Sequence, residues 1–215
     1  MGQTIGRAFA FAQSADECRA NADRYNTLSE ANGALMRIAP LAVWSAAGGD
    51  GGVEGPLAEM ARADARLSHP SAVCQAANAA YVSALAHVLA TRPDAEPDRD
   101  GAVAAALRCL GADAGAGAVV RRWIEVESAQ DVAEIQARCG THAGDTDAKI
   151  VGNMVGALDP GGVPPDAAAR VRGFDCTVAR DDLLGHVRPA AYRVADALAV
   201  ASSASFAARR RSERS

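Results

Sequence analysis

Aromatic side chains are scarce in this sequence, with 4 Phe, 2 Trp and 3 Tyr among 215 residues, and β-branched residues are few beside abundant alanine. Those scarce types build sheet cores, so the composition leans towards an all-α fold. No two cysteines lie close together. Cys18, Cys74, Cys109, Cys139 and Cys176 are odd in number and lack the tight C-x-x-C pair of a zinc site. Free thiols in a reducing cytoplasm are the expected state, and a cytoplasmic location goes with it. No serine stands in a G-x-S-x-G elbow, so no nucleophilic triad is visible. Met1–Ala12 has no long apolar core followed by a cleavage site, and Gly6 occupies the place where a myristoylation motif wants Ser or Thr. No apolar run promises a bilayer span, so no membrane partner is expected. Net charge is −4, and phosphate repels an acidic chain, which disfavours general nucleic-acid binding.

What is there is a globular composition, 49 % hydrophobic and 22 % charged, in a length sufficient for one domain with a sizeable core. No internal repeat or composition break divides it. Residues 1–206 are expected to form one helical domain, and Ala207–Ser215 a frayed basic tail. Apolar residues recur at helical spacing along most of the chain. Thr4–Asn21 reads as one helix with Ile5, Ala8, Phe9 and Ala12 on one side. Ala31–Ser45 is apolar and enters through Asn32-Gly33. Ala47–Pro56 reads as a glycine-rich loop; it lacks phosphate-binding spacing and is assigned no ligand. Leu57–Leu67 is a short amphipathic helix. Pro70 suits the first turn of the next, Ser71–Ala90, which carries Val73, Ala77, Tyr81, Ala84, Leu85 and Val88 at helical intervals. Thr91–Asp100 is a polar connection. Helices resume at Gly101–Leu110, Ala118–Glu127 and Ala129–Arg138, and another runs through Leu158 with Ala148, Gly152 and Gly156 spaced by four. Such a small-residue stripe admits a neighbouring backbone.

Three stretches bear residues suited to chemistry. Gly144-Asp145-Thr146-Asp147 sets two carboxylates at a helix entrance, where both can converge on one point. Hard divalent cations such as Mg²⁺ want oxygen ligands, so the pair suits one; aspartates also cap helix N-termini and favour the dipole there. Asn32-Gly33 precedes a helix and leaves N–H groups that can hold a phosphate, or merely start the helix. His69, in Ser-His-Pro, can overhang a ligand or act as a partly exposed cap. His142 lies three residues before Asp145 and can support it. His87 and His186 have no such context, and Asp181-Asp182 reads as the polar start of a helix.

Taken in order, Asn32–Leu41 (NGALMRIAPL), Leu67–Pro70 (LSHP) leading into an alanine-rich helix, and Gly144–Gly156 (GDTDAKIVGNMVG) followed by Pro164 resemble the ADP-ribosylglycohydrolase family. Thr4–Phe9 is similar to the family segment that precedes the first motif. The resemblance implies a compact, orthogonal all-α helical bundle. It further implies a two-magnesium site in a cleft that takes ADP-ribose or an ADP-ribosylated protein, and hydrolysis of the ribosyl glycosidic bond. On this resemblance Asp145 and Asp147 are metal ligands. Asn32 and Gly33 lie in the loop approaching the diphosphate or ribose, with Met36 nearby, and His69 sits beside the ADP-ribose.

Two departures accompany it. The family's other metal ligands lie in an upstream Thr-Asp-Asp motif, and no Thr-Asp-Asp occurs in this sequence. The chain is therefore expected to correspond to the later two-thirds of the domain, without its N-terminal helices, and to expose apolar helix faces that favour association. The residue after the second aspartate is usually Thr or Ser in the family; here it is Ala148. Weak Mg²⁺ binding and slow or absent turnover are the expected consequences. The alternative is a catalytically degenerate ADP-ribose-binding or helical interaction protein.

Overall fold

A computed structural model describes residues 2–46, 54–90, 98–112, 114–127, 165, 166 and 169. The chain divides into two compact units, Met1–Leu158 and Asp159–Ser215. In the second, the described residues are Pro165, Asp166 and Ala169, all helical. In the first, the described residues form seven α-helices and no strand: α1 Gln3–Phe9, α2 Ala15–Tyr25, α3 Ala39–Ala46, α4 Glu54–Arg66, α5 Ala72–Ala90, α6 Arg99–Cys109 and α7 Ala116–Glu127. A 3₁₀ turn, Leu35–Arg37, leads into α3. The all-α expectation holds.

Helix α5 is the axis of this unit. It packs on α3, α4, α6 and α7. Ala76, Ala79, Ala80, Val82, Leu85 and Val88 are all buried. Val73, Ala77 and Tyr81, which share the expected helical face, are only half-buried. A helix apolar on every side is a core helix, and its alanines let neighbouring backbones approach from several directions. One set of contacts joins Ala76, Ala80, Ala84 and Val88 to Ala102, Ala106, Leu110 and Val120. The other joins Val82 and Leu85 to Ile38, Ala42, Leu57 and Ala61. By length and composition Ala72–Ala90 is also apolar enough to cross a membrane, contrary to the reading that no run is long enough. Its 18-residue window has mean hydropathy 1.3, and 61 % of that window is covered by the rest of the protein.

The N-terminal helix differs from expectation. Thr4–Asn21 is two helices, not one. Phe11 between them holds φ at 58° and is 98 % exposed. Ser14 caps α2 by accepting from the Glu17 N–H at 3.2 Å, and Glu17 Oε2 accepts from the Gln13 N–H at 2.7 Å. Asn21 Nδ2 donates back to the carbonyls of Ala8 and Ala10, closing the end of α1. The S-x-x-E spacing of Ser14 and Glu17 is a capping signal that outweighs the continuous apolar pattern.

Smaller shifts occur elsewhere. Helix α4 begins at Glu54, inside the stretch read as loop, with Pro56 in its first turn. Pro70 lies outside α5, which starts after Ser71; the Gln75 N–H donates to the Ser71 carbonyl at 3.1 Å. Helix α6 starts two residues early, capped by Asp98, whose Oδ1 accepts from the Gly101 N–H at 2.8 Å. Asp98 Oδ2 also meets His87 Nε2 at 3.0 Å, so His87 has a definite partner. Cys18, Cys74 and Cys109 are free thiols, as expected; Cys139 and Cys176 lie outside the described residues. So do His142, His186, Asp181-Asp182, and the candidate helices Ala129–Arg138 and Ala148–Leu158.

Candidate functional site

Helix α4 ends in a tight turn. The N–H groups of Ser68 and His69 both donate to the Ala65 carbonyl, at 3.1 and 2.8 Å. Pro70 then stops helical continuation, because a residue before proline is pushed out of the α region. Ser68 and His69 are thereby held at the helix end, both fully buried. The 3₁₀ turn brings Arg37 to the same place. Its Nη1 donates to Ser68 Oγ at 2.9 Å, and its Nη2 donates to the Asp64 carbonyl at 2.6 Å. A cation at the last carbonyls of a helix meets the negative end of its dipole. The Asp64 carboxylate lies 3.0 Å from Nη2, close enough for an ion pair though not aligned as a hydrogen bond. The guanidinium also lies over the Phe9 ring of α1, 5.9 Å from its centre.

Asn26, at the end of α2, joins these parts. Its Nδ2 donates to the Thr4 carbonyl at 2.9 Å and the Ser68 carbonyl at 3.0 Å. Thr4 and Ser29 share a hydroxyl–hydroxyl hydrogen bond at 3.0 Å. Helix α1 is thus tied to the Ser68-His69 turn and to the segment that leads into Asn32.

Of the residues singled out from sequence, Gly33 and His69 come together across 36 positions. A β-carbon added at Gly33 would lie 3.2 Å from His69 Cε1, and 3.1 and 3.3 Å from the Ile5 side chain. The approach is tight enough that a side chain here would have to push these neighbours aside by a few tenths of an ångström. Asn32 and Met36 belong to the same turn, where the Met36 N–H donates to the Asn32 carbonyl at 3.0 Å, and both are half-buried. Asp145, Asp147 and His142 lie outside the described residues. Among the described residues, no group of three or more His, Cys, Asp or Glu stands where it could hold a metal. An open cleft of about 450 Å³ is lined by Arg37, Ile38, Pro40, Leu41, Met60 and Asp64; none of Asn32, Gly33, Met36 or His69 lines it.

The His69 ring has one partner. Nδ1 lies 2.8 Å from Ser68 Oγ, and Nε2 has no hydrogen-bond partner among the described residues. Burial first, and the Arg37 charge in the same direction, together lower the imidazole pKa from 6.5 to about 4. His69 is therefore neutral at pH 7. It is fully buried, not the partly exposed cap that a lone helix-start histidine suggests.

Sequence reasoning did not single out Asn26, Arg37 or Ser68. Arg37 sits inside NGALMR and Ser68 directly precedes the histidine, so both were adjacent to flagged positions. Asn26 carries no local signal beyond an amide at the end of a helix.

The Gly33 contact gives a direct test. Gly33→Val forces branched carbons into Ile5 and His69, so a destabilisation of about 1–3 kcal/mol is expected, as for overpacking elsewhere. Gly33→Ala asks its neighbours for only a few tenths of an ångström and should cost less. Urea titration of both variants measures the difference; equal stability for the valine variant and wild type would contradict the contact.

A family model described as ADP-ribosylglycohydrolase matches residues 1–205, and the chain belongs to that family. It is accordingly of the ADP-ribosylglycohydrolase type, a class of glycosidic-bond hydrolase. No curated protein and no solved structure matches it.

Proposed function

We propose that this protein takes ADP-ribose, or an ADP-ribosylated protein or other acceptor, against the Asn32-Gly33 turn and His69, and hydrolyses the ribosyl glycosidic bond with Mg²⁺ assistance. The observation that supports this most directly is the meeting of Gly33 and His69, from two separate motif stretches, at one point. In this reading Asn32 and Gly33 face the diphosphate or ribose, Met36 flanks them, and His69 offers a neutral imidazole. Asp145 and Asp147 hold Mg²⁺, with His142 in support. Two carboxylates are hard oxygen donors and suit that ion, though they leave most of a six-coordinate shell to water, so affinity is weak. When bound, the metal polarises ribose oxygens and a water.

A second reading is favoured by a specific observation. Ala148 supplies no oxygen after the second aspartate, where the family usually carries Thr or Ser. On that reading the protein binds ADP-ribose without cleaving it.

An ADP-ribosylated protein is the test substrate. Slow release of ADP-ribose that requires Mg²⁺, and that falls by roughly 10–100-fold or more in Asp145→Ala, is expected for the hydrolase; losses of that size follow even from disturbing a metal's outer partners. Retained ADP-ribose binding with no release in either protein selects the second reading. Release that is indifferent to Mg²⁺ and to Asp145→Ala would remove the metal role. Isothermal titration with Mg²⁺ alone should show weak binding, and two tight sites would contradict that expectation.

A further inference from the structure

Arg37, Ser68 and His69 form a directed chain of hydrogen bonds with one free end. Arginine only donates. Its Nη1–H takes one lone pair of Ser68 Oγ at 2.9 Å. The serine hydroxyl then has its own hydrogen to place, and His69 Nδ1 is 2.8 Å away. If the hydroxyl donates to Nδ1, that nitrogen is the acceptor and the neutral ring carries its proton on Nε2. One buried group is then left over, the Nε2–H. If instead Nδ1–H donates to Oγ, two are left over, the serine hydroxyl hydrogen and the Nε2 lone pair. Both residues are fully buried, so the extra unpaired group counts against the second arrangement. A cationic donor on Oγ also polarises the O–H and strengthens its donation. Arg37 is itself held by the Asp64 carbonyl and by the Phe9 ring.

We infer that Arg37, acting through Ser68, is a positioning residue that fixes His69 as the Nε2–H tautomer, so that the histidine presents a neutral donor and selects an acceptor oxygen of the ligand. The tautomer assignment stands on the geometry of these three residues alone; its bearing on ligand choice rests on the function proposed above. A buried N–H with no partner calls for an explanation, and an acceptor oxygen of the ligand supplies one. The neutral ring matters, because a charged imidazolium would donate from both nitrogens and would need no relay. The low pKa of His69 agrees with the neutral form. Neither motif stretch reveals this role, since Arg37 and Ser68 are 31 positions apart.

Two-dimensional ¹H–¹⁵N spectra of the full chain with ¹⁵N-labelled histidine read the tautomer without any ligand. Wild type should show His69 protonated on Nε2 and accepting at Nδ1. Ser68→Ala and Arg37→Met should lose that bias, and Ser68→Thr and Arg37→Lys, which keep a hydroxyl and a donor, should restore it. Affinity for ADP-ribose, measured alongside, should fall on the order of tenfold in the first pair, the worth of one hydrogen bond, and recover in the second. A wild-type ring protonated on Nδ1 would overturn the assignment, and this holds even if every variant fails to fold. An unchanged tautomer in folded Ser68→Ala and Arg37→Met would overturn it too. The expected tautomer pattern with no ADP-ribose binding in any protein upholds the relay and removes the functional reading instead.

Discussion

Replacing Asn26 by alanine is expected to cost about 1–3 kcal/mol of stability, the cost of one buried group left unsatisfied, because the buried Ser68 carbonyl would lose this partner and the part-buried Thr4 carbonyl would lose it too. The side chain is 1 % exposed. Its Nδ2 holds the Thr4 carbonyl in α1 and the Ser68 carbonyl beyond α4. These lie 22 and 42 positions away, so one amide fastens three separated segments. Asn26→Asp should be worse still. It keeps the shape but turns a donor into an acceptor, and sets a carboxylate against two carbonyl oxygens. Urea denaturation is the measurement, with a lower midpoint and an unchanged slope for Asn26→Ala. A loss below about 0.5 kcal/mol, within the range of ordinary surface substitutions, would show that the amide does not bridge these segments.

Stability is expected to fall as pH drops from 6.5 to about 4, and His69 is the cause. The sign follows from proton counts. In the folded protein the ring stays neutral down to about pH 4; in the unfolded chain it takes a proton near 6.5. Between those values the unfolded state binds more protons, so acid favours unfolding. Above pH 6.5 both states are neutral and the contribution is complete. Below about pH 4 both are charged and no further loss comes from this group. A shift of this size corresponds to something on the order of 3 kcal/mol, at about 1.4 kcal/mol per pKa unit. The check is the unfolding midpoint measured from pH 7.5 to 4, with His69→Gln as control. The slope should be present in wild type and much reduced in the variant. A wild-type slope that His69→Gln leaves intact would assign the effect to other groups.

The helical class was legible from composition, and α5, α6 and α7 fall within two residues of their expected limits. Alanine-rich periodic stretches state their own secondary structure, because helix propensity and apolar spacing are local properties. The break between α1 and α2 is also written in the sequence, as the capping pair Ser14 and Glu17, which overrides the apolar pattern running across it. The interest of Asn32, Gly33 and His69 could be seen from their motif stretches. Their mutual contact could not, since it runs through Ile5 and through the close approach of one backbone to one imidazole.

Local chemistry settled which stretches coil and where several of them stop. Only the packed chain decided that α5 would meet α3, α4, α6 and α7, that Asn26 would bind two distant carbonyls, and that Arg37 would reach Ser68 and so reach His69. The reason is physical. A helix made of alanine has no single sticky face, so its sequence does not say which neighbour lies where; that choice is made by all the helices together when they exclude water.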